Sequence, residues 1–482
     1  MRERRMRARY HPGMELSPDH VLTRVLALAP HAAGYWVAFS GGRDSMALLH
    51  LLARARPPVR LGALHVNHNL QAGAQAWAAQ CRTTCAALQV EYRELSVQVQ
   101  TTAGLSPEAA ARTARYRAFA EALPAGHALV TAHHQDDQAE TLLLQLLRGA
   151  GPKGLAAMPP VSGFGAGWLV RPLLDVSRTA LHAYAQRQAL RWVDDPSNAE
   201  LGFDRNFLRH AVVPLLRERW PATAAVLTRS AGHQAEAAQL LDELAAIDLQ
   251  EIRHARADIP AGAGVVMDSD SATEADAVAA ERLSVTGLMQ LSVARRANLL
   301  RYWLHRRYAP TPSTAVLERV DQDLLRAAVD AQPEVRWGGV CLRRYRDDLF
   351  LLREAIAPEC APVDWPADQP LILPTGVLTP HPGPGRGVAA RHLRGRRLRI
   401  AFRQGGERLR PAGRREHHSL KHLFQEAGVP PWERTCVPLL YLGDDLIAVA
   451  GYWIVEGFQA LEQEPGVAFS WRRAIVPSGP IW

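Results

Sequence analysis

The stretch that most constrains this chain is Tyr35 to Leu52, YWVAFSGGRDSMALLHLL. An apolar run ends in a serine, two glycines and an aspartate, and a Leu-rich helical pattern follows at once. A strand passing into a helix through SGGRDS forms a βα turn shaped for an anion. Glycines let the backbone approach closely, the helix's free N–H groups favour negative charge, and Ser40 and Ser45 add hydroxyl donors. The plain alternative is an ordinary βα turn with glycine for geometry. Asp44 argues against a bare phosphate, because two like charges a few ångströms apart repel unless something bridges them. A magnesium ion held by Asp44 and phosphate oxygens removes the conflict. GxxxxGK[ST] is absent, and the glycines of SGFGAGWL (163, 165, 167) do not fit GxGxxG and read as a loop.

Around this unit, candidate strands Trp36–Phe39, Leu61–Val66, Glu91–Val97 and Ala128–Thr131 alternate with helical patterns near 45–54, 72–88 and 107–122. Ser106 and Pro107 mark the start of the third helix, and a fourth follows Asp136. The fold class is α/β: an N-terminal Rossmann-like parallel sheet, then a helical domain, then a small C-terminal α+β domain. We place the boundaries at 15–222, 223–355 and 395–475, with 356–394 a Pro/Gly-rich connector. Polar residues 258–276 read as a loop, LRIAF as a strand, 419–427 as a helix stopping at Gly428, and YLGDDLIAVAGYWI as a hairpin.

Net charge is +8, and residues 391–434 hold twelve basic residues against four acids, so this segment accounts for the whole excess. A polyanionic partner is the natural reading, and a solvated Arg-rich surface the plain one. Only Lys153 and Lys421 are lysines among 56 basic residues, as if kept where a point charge is needed. Five cysteines without a CxxC pair argue for reduced thiols in a cytosol, with Cys81 and Cys85 buried on one helix face. No apolar run reaches membrane-spanning length, and none follows the basic opening MRERRMRARYHPGM as a secretory signal requires. His65, His68, His133, His134, Asp136 and Asp137 raise the question of a transition metal. No HExxH-like spacing accompanies them, and none is expected.

SGGRDS on strand–turn–helix resembles the PP-loop of the ATP pyrophosphatases, which cleave ATP between the α and β phosphates. Further pieces narrow the branch: HVNHNL (65–70), EAAARTARYRAF (108–119), TAHHQDDQAETLLLQLLRGAGPKGL (131–155), RPLLDVSR (171–178), DDPSN (194–198) and DRNFLRHAVVPLL (204–216). GGERLRP, LKHLFQEAGVPPWER and VPLLYLGDDLIAVAG complete the set near the end of the chain. In this order they resemble the bacterial tRNA(Ile)-lysidine synthetases over 33–220, 280–350 and 395–470. Asn69 stands where that family usually has Gly, and Gln71 where Arg is common.

The resemblance implies ATP as cosubstrate with Mg2+, and L-lysine and the CAU-anticodon tRNA(Ile) as partners. It implies a cytoplasmic enzyme that activates the first anticodon cytidine by adenylation and then joins lysine to its C2. Ser40, Gly41, Gly42, Arg43, Asp44 and Ser45 would bind ATP, with Asp44 on magnesium. Asp44, Arg112, Asp137 and Glu140 would carry the chemistry, and His133, Asp137 and Glu140 the substrate lysine. Lys153, Arg205, Asn206, Arg414, Arg415 and Lys421 would meet tRNA. Each has a plainer reading: Asp136 and Asp137 as first-turn acids, Arg112 paired with Glu108, Arg205 paired with Asp195 or Asp204. Subunit number stays open, a homodimer included. The competing classes are another PP-loop enzyme, such as a tRNA thiolase, and a non-catalytic RNA-binding protein. The absent CxxC speaks against the first, the intact SGGRDS against the second.

Overall fold

The computed structural model describes residues 15–67, 73–97, 107–194, 200–254, 281–328, 331–353 and 361–473. His68, Asn69, Gln71, Ser106, Asp195, residues 258–276 and the side chain of Glu108 lie outside them. The chain divides after Leu241 into two compact units.

In the first unit, β1 (Gly34–Ala38), β2 (Arg60–Asn67), β3 (Glu91–Ser96), β4 (Ala128–Val130), β5 (Val161–Phe164) and β6 (Gly167–Val170) form one sheet ordered β3-β2-β1-β4-β6-β5. All pairings are parallel except that of β5 with β6. The helices are α1 (Pro18–Leu28), α2 (Arg43–Ala55), α3 (Ala74–Ala87), α4 (Pro107–Ala122), α5 (Gln135–Leu147), α6 (Pro152–Leu155), α7 (Arg178–Arg187), α8 (Asp204–Phe207) and α9 (Val213–Arg219). A π-helical segment, Leu208–Val212, joins α8 to α9.

Both faces of the sheet are covered, which is why the central strands β1 and β4 read as continuous apolar runs. Tyr35, Val37 and Phe39 pack with α1, α2, α3 and α7, whereas Trp36, Leu64 and Leu129 pack with Phe119 and Leu123 on the other face. The strand order reverses direction between β1 and β4, and in such sheets the crevice outside the strand ends at that point takes the ligand.

SGFGAGWL forms the β5–β6 hairpin, not the expected loop. Gly165 turns it with φ +53°, and a Cβ on Gly167 would lie 2.0 Å from the His127 carbonyl oxygen. Close strand approach thus explains glycines that look like loop composition.

The second unit departs from expectation twice. The domain expected to be helical, residues 223–355, also contains a five-stranded antiparallel sheet, Arg253–His254, Arg282–Ser284, Asp348–Arg353, Val340–Tyr345 and Glu334–Trp337 in spatial order. Its core unites Leu283, Leu342 and Leu349 with Leu299 and Trp303 of helix Val293–Arg306. The expected connector is also folded. Gly376–Pro384 pairs along its length with Pro465–Arg473, while its other edge meets Leu371–Leu373 only at 376–378. Pro380, Pro382 and Pro384 therefore lie beyond that second pairing, where a missing N–H costs the ladder nothing. Strand Leu398–Ala401, helix Leu420–Glu426 before Gly428 (φ +72°) and hairpin Leu439–Leu442/Asp445–Val449 match their sequence patterns.

Candidate active site

The β1–α2 turn supplies the open end of a helix. Gly42 caps α2 without any side-chain hydrogen bond, so its first N–H groups remain available to a ligand. Ser40 Oγ lies 3.0 Å from Ser45 Oγ and accepts from Gly42 N, while Ser45 Oγ donates to the Gly42 carbonyl. Gly41 needs its glycine twice over: φ is +81°, and a Cβ there would meet Cys81 Sγ at 2.7 Å. Cys81 thus forms the floor of the turn, and burial pushes its thiol up to about 12.

Asp44 opens α2 and faces the end of β4. Its Oδ1 accepts from Arg43 Nε at 3.1 Å, and Arg43 in turn reaches His182 Nδ1 at 3.0 Å. Its Oδ2 lies 3.5 Å from His134 Nε2. Burial pushes the Asp44 carboxyl up, but the bond and charge of His134, then Arg43, outweigh it and hold the carboxyl well below its ordinary range.

His134 caps α5. The Asp137 N–H donates to its Nδ1 at 3.3 Å while the His134 N–H donates back to Asp137 Oδ2 at 3.0 Å. Neutral, His134 therefore carries its proton on Nε2, toward Asp44. When it is protonated, Nδ1–H faces Asp137 Oδ2 at 3.4 Å instead. Burial opposes the imidazolium, but Asp137 and Asp44 win and its pKa is raised. One imidazole thus joins the nucleotide turn to the acid helix.

Asp137 and Glu140 lie on the flank expected, but that flank is buried: their residues are 9% and 2% exposed. Two arginines four apart neutralise them. Arg205 Nε donates to Glu140 Oε2 at 3.0 Å and its Nη2 to Thr141 Oγ1 at 3.1 Å. Arg209 grips Glu140 through Nε and Nη2, both at 2.8 Å, and reaches Asp137 Oδ1 at 3.0 Å. Burial raises the Asp137 carboxyl, but His134, Arg205, His133 and Arg209 together bring it below its ordinary value. Asp136 faces elsewhere, bonded to Arg217 and to the backbone N–H of Arg178.

Arg205 therefore stands on the acid pair rather than on an outer RNA surface, and Asn206 is buried, donating to the Glu200 carbonyl. Arg112 is exposed over the Tyr116 ring at 5.0 Å. His133 bonds Thr131 Oγ1 through Nδ1 at 2.9 Å, and burial with the nearby Arg171, Arg205 and Arg112, only partly countered by Asp137, lowers its pKa to about 3. His65 is a satisfied core histidine on the Phe39 carbonyl. Lys153 is exposed in α6. Arg415 and Lys421 are exposed in the second unit, where Arg414 pairs with Glu426 at 2.8 and 2.9 Å. Other arginines of that basic segment serve the fold: Arg434 is buried on the Val429 carbonyl, and Arg391 bonds Glu464.

Reading the sequence assigned no role to Arg209, Arg217, Arg171 or His134. The i,i+4 arginines of DRNFLR carried the available signal, since they face one point on a helix.

Models of known families match three stretches: a PP-loop domain over residues 19–216, a TilS substrate binding domain over 283–350 and a TilS substrate C-terminal domain over 398–471. The tRNA(Ile)-lysidine synthase of Coxiella burnetii is 42% identical over 459 residues, 94% of this chain and 96% of that protein. That of Alkalilimnicola ehrlichii is 44% identical over 459 residues, 93% and 96%. The chain belongs to the tRNA(Ile)-lysidine synthase family. A solved U34-tRNA thiolase, NcsA of Methanococcus maripaludis, is similar at TM-score 0.38 and 15% identity over 45% of this chain and 78% of that one.

For a lysidine synthase the donor set suits a magnesium nucleotide. Asp44 is kept ionised and its side chain is 32% exposed at an uncapped helix end, so this carboxylate, beside a nucleotide's phosphate oxygens, would suit a hard cation. No described helix is long and apolar enough to cross a membrane.

Proposed function

We propose that this chain joins L-lysine to C2 of the cytidine at the first anticodon position of the CAU-anticodon isoleucine tRNA. The cytidine O2 attacks the α phosphorus of ATP and diphosphate leaves. The lysine ε-amine then attacks C2, AMP departs with the former O2, and the amine gives up its proton. The observation that carries this reading is the chain Asp44–His134–Asp137, with contacts of 3.5 and 3.4 Å, tying the open end of α2 to the buried acid pair. Nucleotide activation and amine handling belong in one crevice, because an adenylated base in water would hydrolyse before an amine found it.

Within that crevice the α2 N–H groups, Ser40 and Ser45 receive phosphates, and Asp44 would hold magnesium, which would supply charge neutralisation for the diphosphate. Asp137 and Glu140 receive the lysine ammonium and take its proton; Arg205 and Arg209 hold both acids in place. His133, neutral above strongly acid pH, offers a hydrogen bond without adding charge near the amine. Arg112 meets phosphate or developing charge. Lys153, Arg415 and Lys421 contact tRNA from exposed positions. Incubating the purified protein with ATP, radiolabelled lysine and a minor isoleucine tRNA transcript tests the reading. Lysine-labelled RNA and AMP are expected, and their absence with ATP, magnesium and folded tRNA present overturns it.

A further inference from the structure

The carboxyl ends of β4 and β6 hold a buried cation that no acid balances among the described residues. Val130 pairs with Val170, and Thr131 N donates to the Val170 carbonyl at 2.9 Å, so Thr131 and Arg171 emerge side by side at the same edge as the nucleotide turn. Arg171 is 7% exposed. Its Nη1 donates to the Pro159 carbonyl at 2.8 Å, but its Nε is buried with no partner, and among the described residues no carboxylate pairs with it. Burial disfavours its charge, Tyr116 counters this in part, and Arg112 adds to it.

A buried guanidinium is normally paired, because desolvating it costs several kcal/mol that only an anion and well-made hydrogen bonds offset. Here the neighbours are of the wrong sign or neutral. Arg112 lies over Tyr116, Tyr116 packs edge-on against Phe164 of β5 at 6.0 Å, and His133, held by Thr131, is uncharged near neutral pH. Among the described residues no structural partner justifies the cost, whereas a ligand's charge would.

We propose that Arg171, with Arg112 and His133, forms a second anion subsite at the ends of β4 and β6, separate from the SGGRDS turn, which takes a phosphate group of the bound substrates. The planar fork suits a phosphate's paired oxygens, and neutral His133 adds a hydrogen bond there. The phosphate belongs either to ATP or to the RNA backbone at the modified nucleotide. The subsite rests on the ligase reading for its ligands but not on the identity of the amine.

The test is equilibrium titration of the full-length Arg171→Met protein with ATP–magnesium and, separately, with tRNA(Ile) transcript, alongside its thermal midpoint without ligand. The apo midpoint is expected to hold or rise, because an unpaired buried charge is removed, while affinity for one ligand falls roughly tenfold or more. Loss confined to ATP assigns the nucleotide phosphate, and loss confined to tRNA the phosphodiester. Unchanged affinity for both overturns the subsite, and a lowered midpoint beside unchanged affinities makes Arg171 a structural residue. If the Met protein does not fold, Arg171→Lys, which keeps the charge and loses the fork, decides by the same titrations. A wild-type protein that bound both ligands yet made no lysine product would overturn the ligase reading and leave the subsite standing.

Discussion

Arg209 holds Glu140 by two parallel contacts, Nε to Oε1 and Nη2 to Oε2, each 2.8 Å, while the same Nη2 reaches Asp137 Oδ1 at 3.0 Å. One guanidinium thus sets the spacing of both acids. The Glu140 side chain is 3% exposed, so removing Arg209 leaves its charge to Arg205 alone, where water cannot replace the lost contacts. Arg209→Ala should cost about 3 kcal/mol of unfolding free energy in urea melts. Arg209→Lys should recover part of it, because a point charge cannot reproduce the fork. A cost under about 1 kcal/mol for Arg209→Ala would show the pair to be weakly coupled.

Asp44 should separate chemistry from RNA binding. Asp44→Ala is expected to abolish diphosphate release while tRNA affinity in filter binding stays near wild type. Surviving turnover would rule out the magnesium role.

Gly41→Ala tests the turn itself. With φ at +81° and Cys81 Sγ 2.7 Å from the added methyl, the turn must shift. KM for ATP should rise at least roughly tenfold, with KM for lysine changing far less, since a misplaced cradle loses charge-assisted phosphate contacts.

His134 gives the pH dependence. Its folded pKa is raised above the ordinary 6.5, so its stabilising contacts are complete below that value and disappear as pH climbs through the folded pKa. Asp44 and Asp137, both lowered, contribute above the ordinary carboxylate value of 3.8 and lose their contribution as pH falls through their folded values. The stability gap between wild type and His134→Gln should therefore be largest between about pH 5 and 6.5 and narrow in alkali. Denaturant melts across pH check this; a gap widening with alkali contradicts it.

In the basic segment, Arg414 already shares its charge with Glu426. Arg415→Glu should weaken tRNA binding and flatten its salt dependence by roughly one phosphate contact's worth of slope, and Glu426→Gln should strengthen binding by freeing Arg414. Identical salt slopes for all three proteins would remove this surface from the RNA interface.

The sequence shows the sheet readily where local chemistry and tertiary role coincide. The run before SGGRDS, Pro107 at a helix start and the Gly443–Asp444 turn each satisfy a short-range rule, and the first is also buried. It misleads where glycine or proline serves a neighbour. Gly167 exists for the His127 carbonyl, and Pro380 to Pro384 exploit a strand edge. Of the site, the residues on α2 and α5 were legible because chemistry sets their type. Their counter-charges were not, because pairing Glu140 with Arg205 and Arg209 depends on a packing no local pattern reveals. The orphaned Nε of Arg171 is likewise visible only once its surroundings are known.

The acids of α5 find their arginines 65 to 81 residues later in the chain. During synthesis Glu140 therefore emerges before either of its arginines, and Asp136 and Asp137 before the guanidinium groups that complete their pairing. A nascent chain released before Arg205 should hold α5 loosely against its sheet, making that stretch the last part of the first unit to mature.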